Sequence, residues 1–350
     1  VEEIGPFLDA FVEGMEARYR HFNATGESES LEELLVWAHA LCARTTGTPL
    51  PPPAAPLDYP FVGKLVDATV ETREPLVALC AARGVLLLLG QLRGGPPEAL
   101  VARVVERTGI GTTRVRGTEV EREVVTVARP RLTGYQEWAG QGDVAGIALH
   151  RVVVLDRDAV ASWEGALRRR VAALAPRRDA LLAELALEDA PVTSVEDPAG
   201  VADRLLLAGP LALDAEVRVH EDAHLVDALR HLPVGRHPLR NFALAFRRGF
   251  SGQEILAYLE RNAQLAAIAE GPAPLAALAT CCATLGGRGP HASGYEEIVR
   301  GFVLEIAARP ERYPEIDGSR VIVQQLHRLP EEKVRALARA LSLRWGVARP

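Results

Sequence analysis

Five consecutive residues, His220-Glu221-Asp222-Ala223-His224, constrain the fold of this 350-residue chain more than any other feature. On a helix, side chains four positions apart lie one above the other on the same face. His220 and His224 can then offer two imidazole nitrogens to one metal ion, while Glu221 points about a quarter-turn away. The spacing therefore predicts a helix that carries a metal site.

Helical winding divides the residues around this motif into two sides, at about 100° per residue. One broad side is apolar and contains Val219, Leu225, Val226, Leu229 and Leu232. A narrow stripe on the other side contains Glu216, His220, His224, Asp227 and His231. Asp227 lies one turn beyond His224, so we expect it to accept an imidazole N–H and fix the tautomer of that ring. The alternative is that the stripe is the solvated face of a surface helix.

A catalytic zinc site usually needs a third protein ligand and one open position. The next predicted helix, Ser251 to Ile268, offers two glutamates. Ser251 and Glu254 form an S-x-x-E capping pattern, which gives Glu254 a structural role at the start of the helix. Glu260 lies at the border of the apolar face, where a carboxylate needs a partner. We therefore predict that Glu260 is the third ligand. The alternative is that Glu260 is an ordinary glutamate at the border of the apolar face, paired with an arginine.

These two motifs resemble the gluzincin class of zinc peptidases in the zincin superfamily, whose third ligand is a glutamate on a helix that follows H-E-x-x-H. The resemblance spans about 45 residues. It implies Zn²⁺ held by His220, His224 and Glu260, and a peptide or protein substrate. The thermolysin-like members have an acidic residue one turn beyond the third ligand. Here that place is taken by Gln264, which can orient a carboxylate or an imidazole only as a neutral amide.

Under this interpretation Glu221 is the general base that takes a proton from the attacking water and delivers it to the leaving amine. The turn-like stretch 289–295 contains His291 and Tyr295, just before a helix predicted to begin near Glu296. Either side chain could stabilise the oxyanion that forms during hydrolysis. The alternative is a helix-entry loop in which Tyr295 packs on the core.

Two other functional hypotheses stay open. One is a non-catalytic helical interaction or scaffold protein, whose zincin-like core has no metal or keeps a metal only for structure. The other is a metal-dependent amidase or deacetylase that uses the same base and ion on small amides. Metal content and hydrolysis separate these hypotheses.

The pattern of apolar residues predicts a mainly helical α+β fold. Helices are expected near Ile4 to His21, Ser30 to Arg44, Arg73 to Leu92 and Pro97 to Arg107, and strands at 119–127 and 146–155. We predict a helical N-terminal region at 1–110 and a zincin-like domain at 111–350. That domain would contain a small sheet at 112–155, the motif helix at 214–232 and a helical subdomain at 243–346.

Composition narrows the classes of partner. The formal net charge is -6 and no basic block stands out, so we expect neither a nucleic-acid surface nor an anionic-membrane surface. No apolar run approaches the roughly 18 residues of a membrane span. The four cysteines are too few and too irregular for a disulfide framework. Because the chain begins at Val1 without a leader, we expect a fragment or a processed form, with a larger parent chain or a partner protein.

Overall fold

The computed structural model describes residues 2–59, 63–66, 74–91, 95–133, 145–149, 152–177, 198–231 and 237–347. These residues form a mainly helical α+β structure, which confirms the predicted fold class. The α-helices are α1 (Gly5–Thr25), α2 (Leu31–Thr46), α3 (Pro75–Ala82), α4 (Arg157–Leu174), α5 (Pro198–Ala208), α6 (Leu213–His231), α7 (Pro238–Arg247), α8 (Gly252–Glu270), α9 (Pro274–Ala283), α10 (Pro290–Ala308) and α11 (Glu331–Arg344). The strands are β1 (Leu57–Tyr59), β2 (Gly63–Val66), β3 (Val85–Gln91), β4 (Pro97–Arg107), β5 (Gly111–Val115), β6 (Thr118–Thr133), β7 (Gly146–Leu149) and β8 (Val152–Asp156).

The strands form one mixed sheet with the order β1-β2-β3-β4-β6-β8-β7, and β5 pairs with β6 off this path. β6 and β8 run parallel, with Glu123 opposite Val152, whereas β3 and β4 are antiparallel. The strands predicted at 119–127 and 146–155 correspond to β6, β7 and β8, although residues 150 and 151 lie outside the described residues. The sheet also extends much further toward the N-terminus than the predicted range of 112–155.

One of the predicted N-terminal helices is wrong and another is helical only in its first half, so the region 1–110 is not simply helical. The segment predicted as a helix from Arg73 to Leu92 begins as helix α3, turns at Gly84, where φ is +71°, and continues as strand β3. Arg73 and Leu92 themselves lie outside the described residues. The segment Pro97–Arg107 is strand β4. Every residue from Val85 to Leu89 is buried, so this continuous apolar run is a strand covered on both faces. Such a run has neither strand nor helix periodicity, and the sequence pattern alone does not distinguish the two.

The chain divides into two compact units. The first contains Val1–Thr112, Glu121–Ala159 and Ala228–Asn241. In its core α1 packs against α2 and β4, and α3 packs against β3, around buried side chains that include Phe7, Phe11, Leu34 and Leu87.

The second unit contains Thr113–Val120, Val160–Asp227 and Phe242–Pro350. Helix α8 is its centre and packs against α9, α10 and α11, while α9 packs against α5. The predicted division of the chain at residue 110 stays a prediction. No described helix has both the length and the apolar character needed to cross a membrane.

Candidate metal centre

The polar stripe of helix α6 is buried. Glu216, His220 and Asp227 expose 5%, 9% and 3% of their surface, whereas Leu229 on the opposite side is 50% exposed. Leu225 is fully buried as well, so the helix is enclosed on more than one side. The alternative of a solvated polar face is therefore wrong, and the histidines point into the protein.

His220, His224 and Glu260 converge on one point. The Nε2 atoms of the two histidines are 3.1 Å apart, and Oε2 of Glu260 lies 3.3 Å from Nε2 of His220 and 3.5 Å from Nε2 of His224. A tetrahedral zinc ion with bonds of about 2.0–2.1 Å would hold neighbouring ligand atoms about 3.3–3.4 Å apart. The three side chains therefore form a group that could hold a metal ion.

Glu260, and not Glu254, provides the carboxylate. At the start of α8 the hydroxyl of Ser251 accepts a hydrogen bond of 3.3 Å from the backbone N–H of Glu254. The side chain of Glu254 is exposed there, whereas Glu260 lies two turns further along and is largely buried. Ser251 therefore caps the helix as predicted, but its own N–H donates to the carbonyl oxygen of Arg248 at 3.1 Å and not to the carboxylate of Glu254, so only this half of the predicted capping box is formed.

Gln264 orients the ring of His220. Its amide Nε2 donates to the carbonyl oxygen of Ala277 at 2.8 Å, which fixes the direction of the amide because a carbonyl can only accept. Its Oε1 therefore accepts from Nδ1 of His220 at 3.0 Å. With the ring proton on Nδ1, Nε2 of His220 presents its lone pair to the point where the ligand atoms meet. A neutral amide is sufficient for this orientation.

Glu260 and His224 shift each other's pKa. Burial alone would raise the pKa of Glu260, but the charge of His224 and the close approach of the neighbouring imidazoles hold that pKa well below its usual value. Burial opposes the charge of His224, yet the neighbouring Glu260 raises the pKa of His224 to about 9. Without an ion, a proton on His224 balances the carboxylate.

Glu221 is buried beside the ligands and exposes 8% of its surface. Burial raises the pKa of Glu221, although the charges of His224 and His220 act in the opposite direction. A carboxylate with a raised pKa binds a proton more tightly than a solvated carboxylate does.

His291 and Tyr295 lie on a helix rather than on a loop, so the predicted helix start near Glu296 is wrong. Helix α10 begins at Pro290, directly after Gly289, whose φ is +99°. Proline at the first helical position is favoured because its missing N–H has no partner to lose there. Nε2 of His291 lies 3.1 Å from Oε2 of Glu260, and the imidazole is about half exposed, at 51%.

The Tyr295 ring contacts the His291 ring edge-on at a centroid distance of 5.7 Å. It is also buried, as the alternative of a core-packed tyrosine predicted. Burial, reinforced by the charge of Glu260, raises the pKa of Tyr295 well above its usual value. Its hydroxyl therefore stays protonated and can act only as a neutral donor or acceptor.

Gly294 allows helices α8 and α10 to approach each other closely. A Cβ atom at this position would lie 2.4 Å from the carbonyl oxygen of Ala257, closer than real Cβ atoms come. Ala257 is three residues before Glu260, and His291 is three residues before Gly294. The missing side chain thus sets the spacing across which His291 and Glu260 meet.

Asp227 has a partner that the sequence did not indicate. Its Oδ1 accepts a hydrogen bond of 2.8 Å from Nη1 of Arg116, whose Nη2 donates to the carbonyl oxygen of Val347 at 2.9 Å. Arg116 is buried and has a φ of +54°, followed by Gly117 at +70°, in the turn between β5 and β6. Oδ2 of Asp227 has no hydrogen-bond partner among the described residues. The predicted hydrogen bond in which Asp227 accepts an imidazole N–H of His224 stays a prediction.

Comparison of the chain with protein-family models, curated proteins and solved structures finds no match. The class of protein is therefore defined by the fold and the site alone. It is a mainly helical α+β protein in which two histidines and one glutamate form a candidate metal centre.

Proposed function

We propose that this chain is a zinc-dependent hydrolase of peptide bonds. The observation that carries the proposal is the convergence of Nε2 of His220, Nε2 of His224 and Oε2 of Glu260 at the spacing of three corners of a tetrahedron. Two imidazoles and one carboxylate are a donor set that catalytic zinc uses, and three protein ligands leave the fourth position for water or substrate. A fully closed set of four ligands would favour a structural ion instead.

When bound, the ion would act as a Lewis acid and lower the pKa of the water at its open position. The protein residues then handle the proton. Glu221 takes the proton of the attacking water, and the burial that raises its pKa keeps that proton available for the leaving amine. The charges of His224, His220, Glu260 and His291 all influence the pKa of Glu221, which supports a position close to the proposed ligands.

Two side chains on α10 are suited to stabilise negative charge on the carbonyl oxygen of the substrate. His291 is half exposed and next to Glu260, so it can donate from the open side of the centre. Tyr295 is held as a neutral phenol by burial and can donate its hydroxyl proton in a hydrogen bond. The proposal of a peptide substrate rests on the resemblance to gluzincins, because the ligand geometry does not distinguish one amide substrate from another.

The experiment is a comparison of zinc content and hydrolysis in four purified proteins: wild type, Glu221→Gln, Glu260→Gln and Glu254→Gln. We expect about one zinc per chain in wild type, in Glu221→Gln and in Glu254→Gln, and a loss of zinc in Glu260→Gln. Hydrolysis of a mixed peptide library, followed by mass spectrometry, should be lost in Glu221→Gln and Glu260→Gln. Glu254→Gln is the matched control, since it changes a glutamate on the same helix away from the site.

The outcomes separate the hypotheses. Zinc in wild type without hydrolysis of peptides or small amides would favour a structural ion in a scaffold protein. Hydrolysis that survives Glu221→Gln would reject the role of that residue as base. Hydrolysis of small acetylated amides alone would move the activity to the amidase or deacetylase class.

A further inference from the structure

Three phenylalanines form an exposed aromatic surface at the end of helix α7. Phe242, Phe246 and Phe250 are 61%, 68% and 62% exposed, and we call them the phenylalanine patch. Their ring centroids lie 6.0 to 6.4 Å apart, so the rings contact one another and form one continuous apolar surface. Single exposed apolar residues are common, but a cluster of this kind marks an interaction site.

The backbone brings the third ring of the patch into place. Phe250 has a φ of +57°, a left-handed conformation that is unfavourable for a bulky side chain. Its N–H donates to the carbonyl oxygen of Ala245 at 2.7 Å, so the chain folds back over the end of the helix. An unfavourable conformation that moves an apolar ring into solvent beside two others is unexpected in a surface without function.

The stretch of sequence that carries the patch is basic, in contrast to the whole chain. No aspartate or glutamate occurs between residues 228 and 253, a stretch that contains Arg230, Arg236, Arg240, Arg247 and Arg248. The formal net charge of the complete chain is -6, so whole-chain charge conceals this basic segment. Arg248 is paired with Glu297, its Nη1 lying 3.0 Å from Oε1 of that residue, whereas Arg247 lies between two phenylalanines of the patch in sequence and is itself exposed.

We propose that the phenylalanine patch is a peripheral binding surface for membranes that contain anionic lipid. Apolar rings next to arginine are the composition with which amphipathic helices lie in the interface of a bilayer. The rings would enter the boundary between headgroups and acyl chains, and Arg247 would remain at the level of the lipid phosphates. The basic segment favours an anionic lipid surface over an apolar protein groove, because a groove would gain nothing from the arginines.

Vesicle flotation tests this proposal with the intact chain. The probes are phosphatidylcholine vesicles with and without phosphatidylglycerol, and the proteins are wild type, Phe246→Ser, Arg247→Glu and Leu304→Ser. Leu304 is 61% exposed on α10 outside the patch, so Leu304→Ser is the matched control for loss of a surface apolar side chain. Circular dichroism and thermal melting verify that each variant is folded.

We expect wild type and Leu304→Ser to bind the anionic vesicles equally. Phe246→Ser should bind about tenfold more weakly, because one buried phenyl ring is lost. Arg247→Glu should bind at least about fivefold more weakly to anionic vesicles, and the effect should shrink at high salt. His224→Ala should bind vesicles like wild type, which separates this surface from the proposed metal chemistry.

Three results would overturn the proposal. The first is no binding of wild type to anionic vesicles. The second is equal binding of wild type and Phe246→Ser. The third is a concentration-dependent dimer in light scattering that Phe246→Ser abolishes, which would assign the patch to a second copy of the chain.

Discussion

Zinc binding to the candidate centre should be linked to the loss of a proton from His224. Glu260 raises the pKa of His224 to about 9 in the protein without an ion, and an imidazole must be deprotonated before it can act as a ligand. At pH 7 only about one chain in 100 would have a neutral His224. The apparent Kd for zinc should therefore fall about tenfold for each pH unit between about 6.5 and 8.5.

The stability of the ion-free protein should change in the opposite direction. The folded-state pKa of His224 is raised above the usual 6.5, so its contribution to stability is present below pH 6.5 and is lost as pH rises toward 9. The melting temperature in the presence of a chelator should therefore decrease over the range in which zinc binding strengthens. A proton shared within the ligand cluster accounts for both trends.

Competition with a calibrated chromophoric chelator measures the Kd at each pH, and calorimetry in two buffers of different ionisation enthalpy counts the protons released. We expect about one proton per zinc near pH 7.5. The Glu254→Gln variant should show the same slope as wild type. If the Kd changes less than about threefold from pH 6.5 to 8.5, His224 does not carry the exchanged proton and the reasoning is refuted.

Three further variants test single contacts. Burial raises the pKa of Glu216 to about 7, so the folded protein loses stability as pH rises from 4.5 to 7. In urea unfolding, Glu216→Gln should be more stable than wild type by at most about 3 kcal/mol at pH 8 and equally stable near pH 4. Gln264→Leu should weaken zinc binding about 10- to 100-fold, whereas Gln253→Leu at the exposed start of the same helix should not. Gly294→Ala should lower the free energy of unfolding by about 1–3 kcal/mol and weaken zinc binding. Gly252→Ala is the control, because the space around Gly252 is open. Equal stability of the two variants would contradict the packing argument.

The parts of the site that could be predicted are those that depend on local geometry. The spacing of His220 and His224 places both on one helix face whatever surrounds the helix. The separation of Glu260 from Glu254 followed from the cap at Ser251, which is also a property of a few consecutive residues. In the structure both choices agree with the positions of the side chains.

The parts that could not be predicted depend on contacts between distant segments. The burial of the polar stripe of α6 depends on the segments that cover it. The pattern of polar residues around the helix is the same for a solvated face and for a buried face. The bond from Arg116 to Asp227 joins residues 111 positions apart, and no local pattern indicates it. The wrong helix prediction at strand β3 has the same cause. The run Val85–Leu89 lacks periodicity because it is buried on both faces.

Gln264 suggests how this centre differs electrostatically from the thermolysin-like pattern. If zinc binds as proposed, two neutral imidazoles and one carboxylate would leave a net charge of +1 on the ion and its ligands, and a carboxylate at position 264 would cancel that charge. The amide of Gln264 fixes His220 through Oε1 while its Nε2 is anchored on Ala277, so orientation is obtained without an added negative charge. A centre that keeps its positive charge attracts a developing oxyanion more strongly, because the surrounding protein screens little. The glutamine is therefore consistent with a centre in which more of the oxyanion stabilisation comes from the ion and less from donors such as His291.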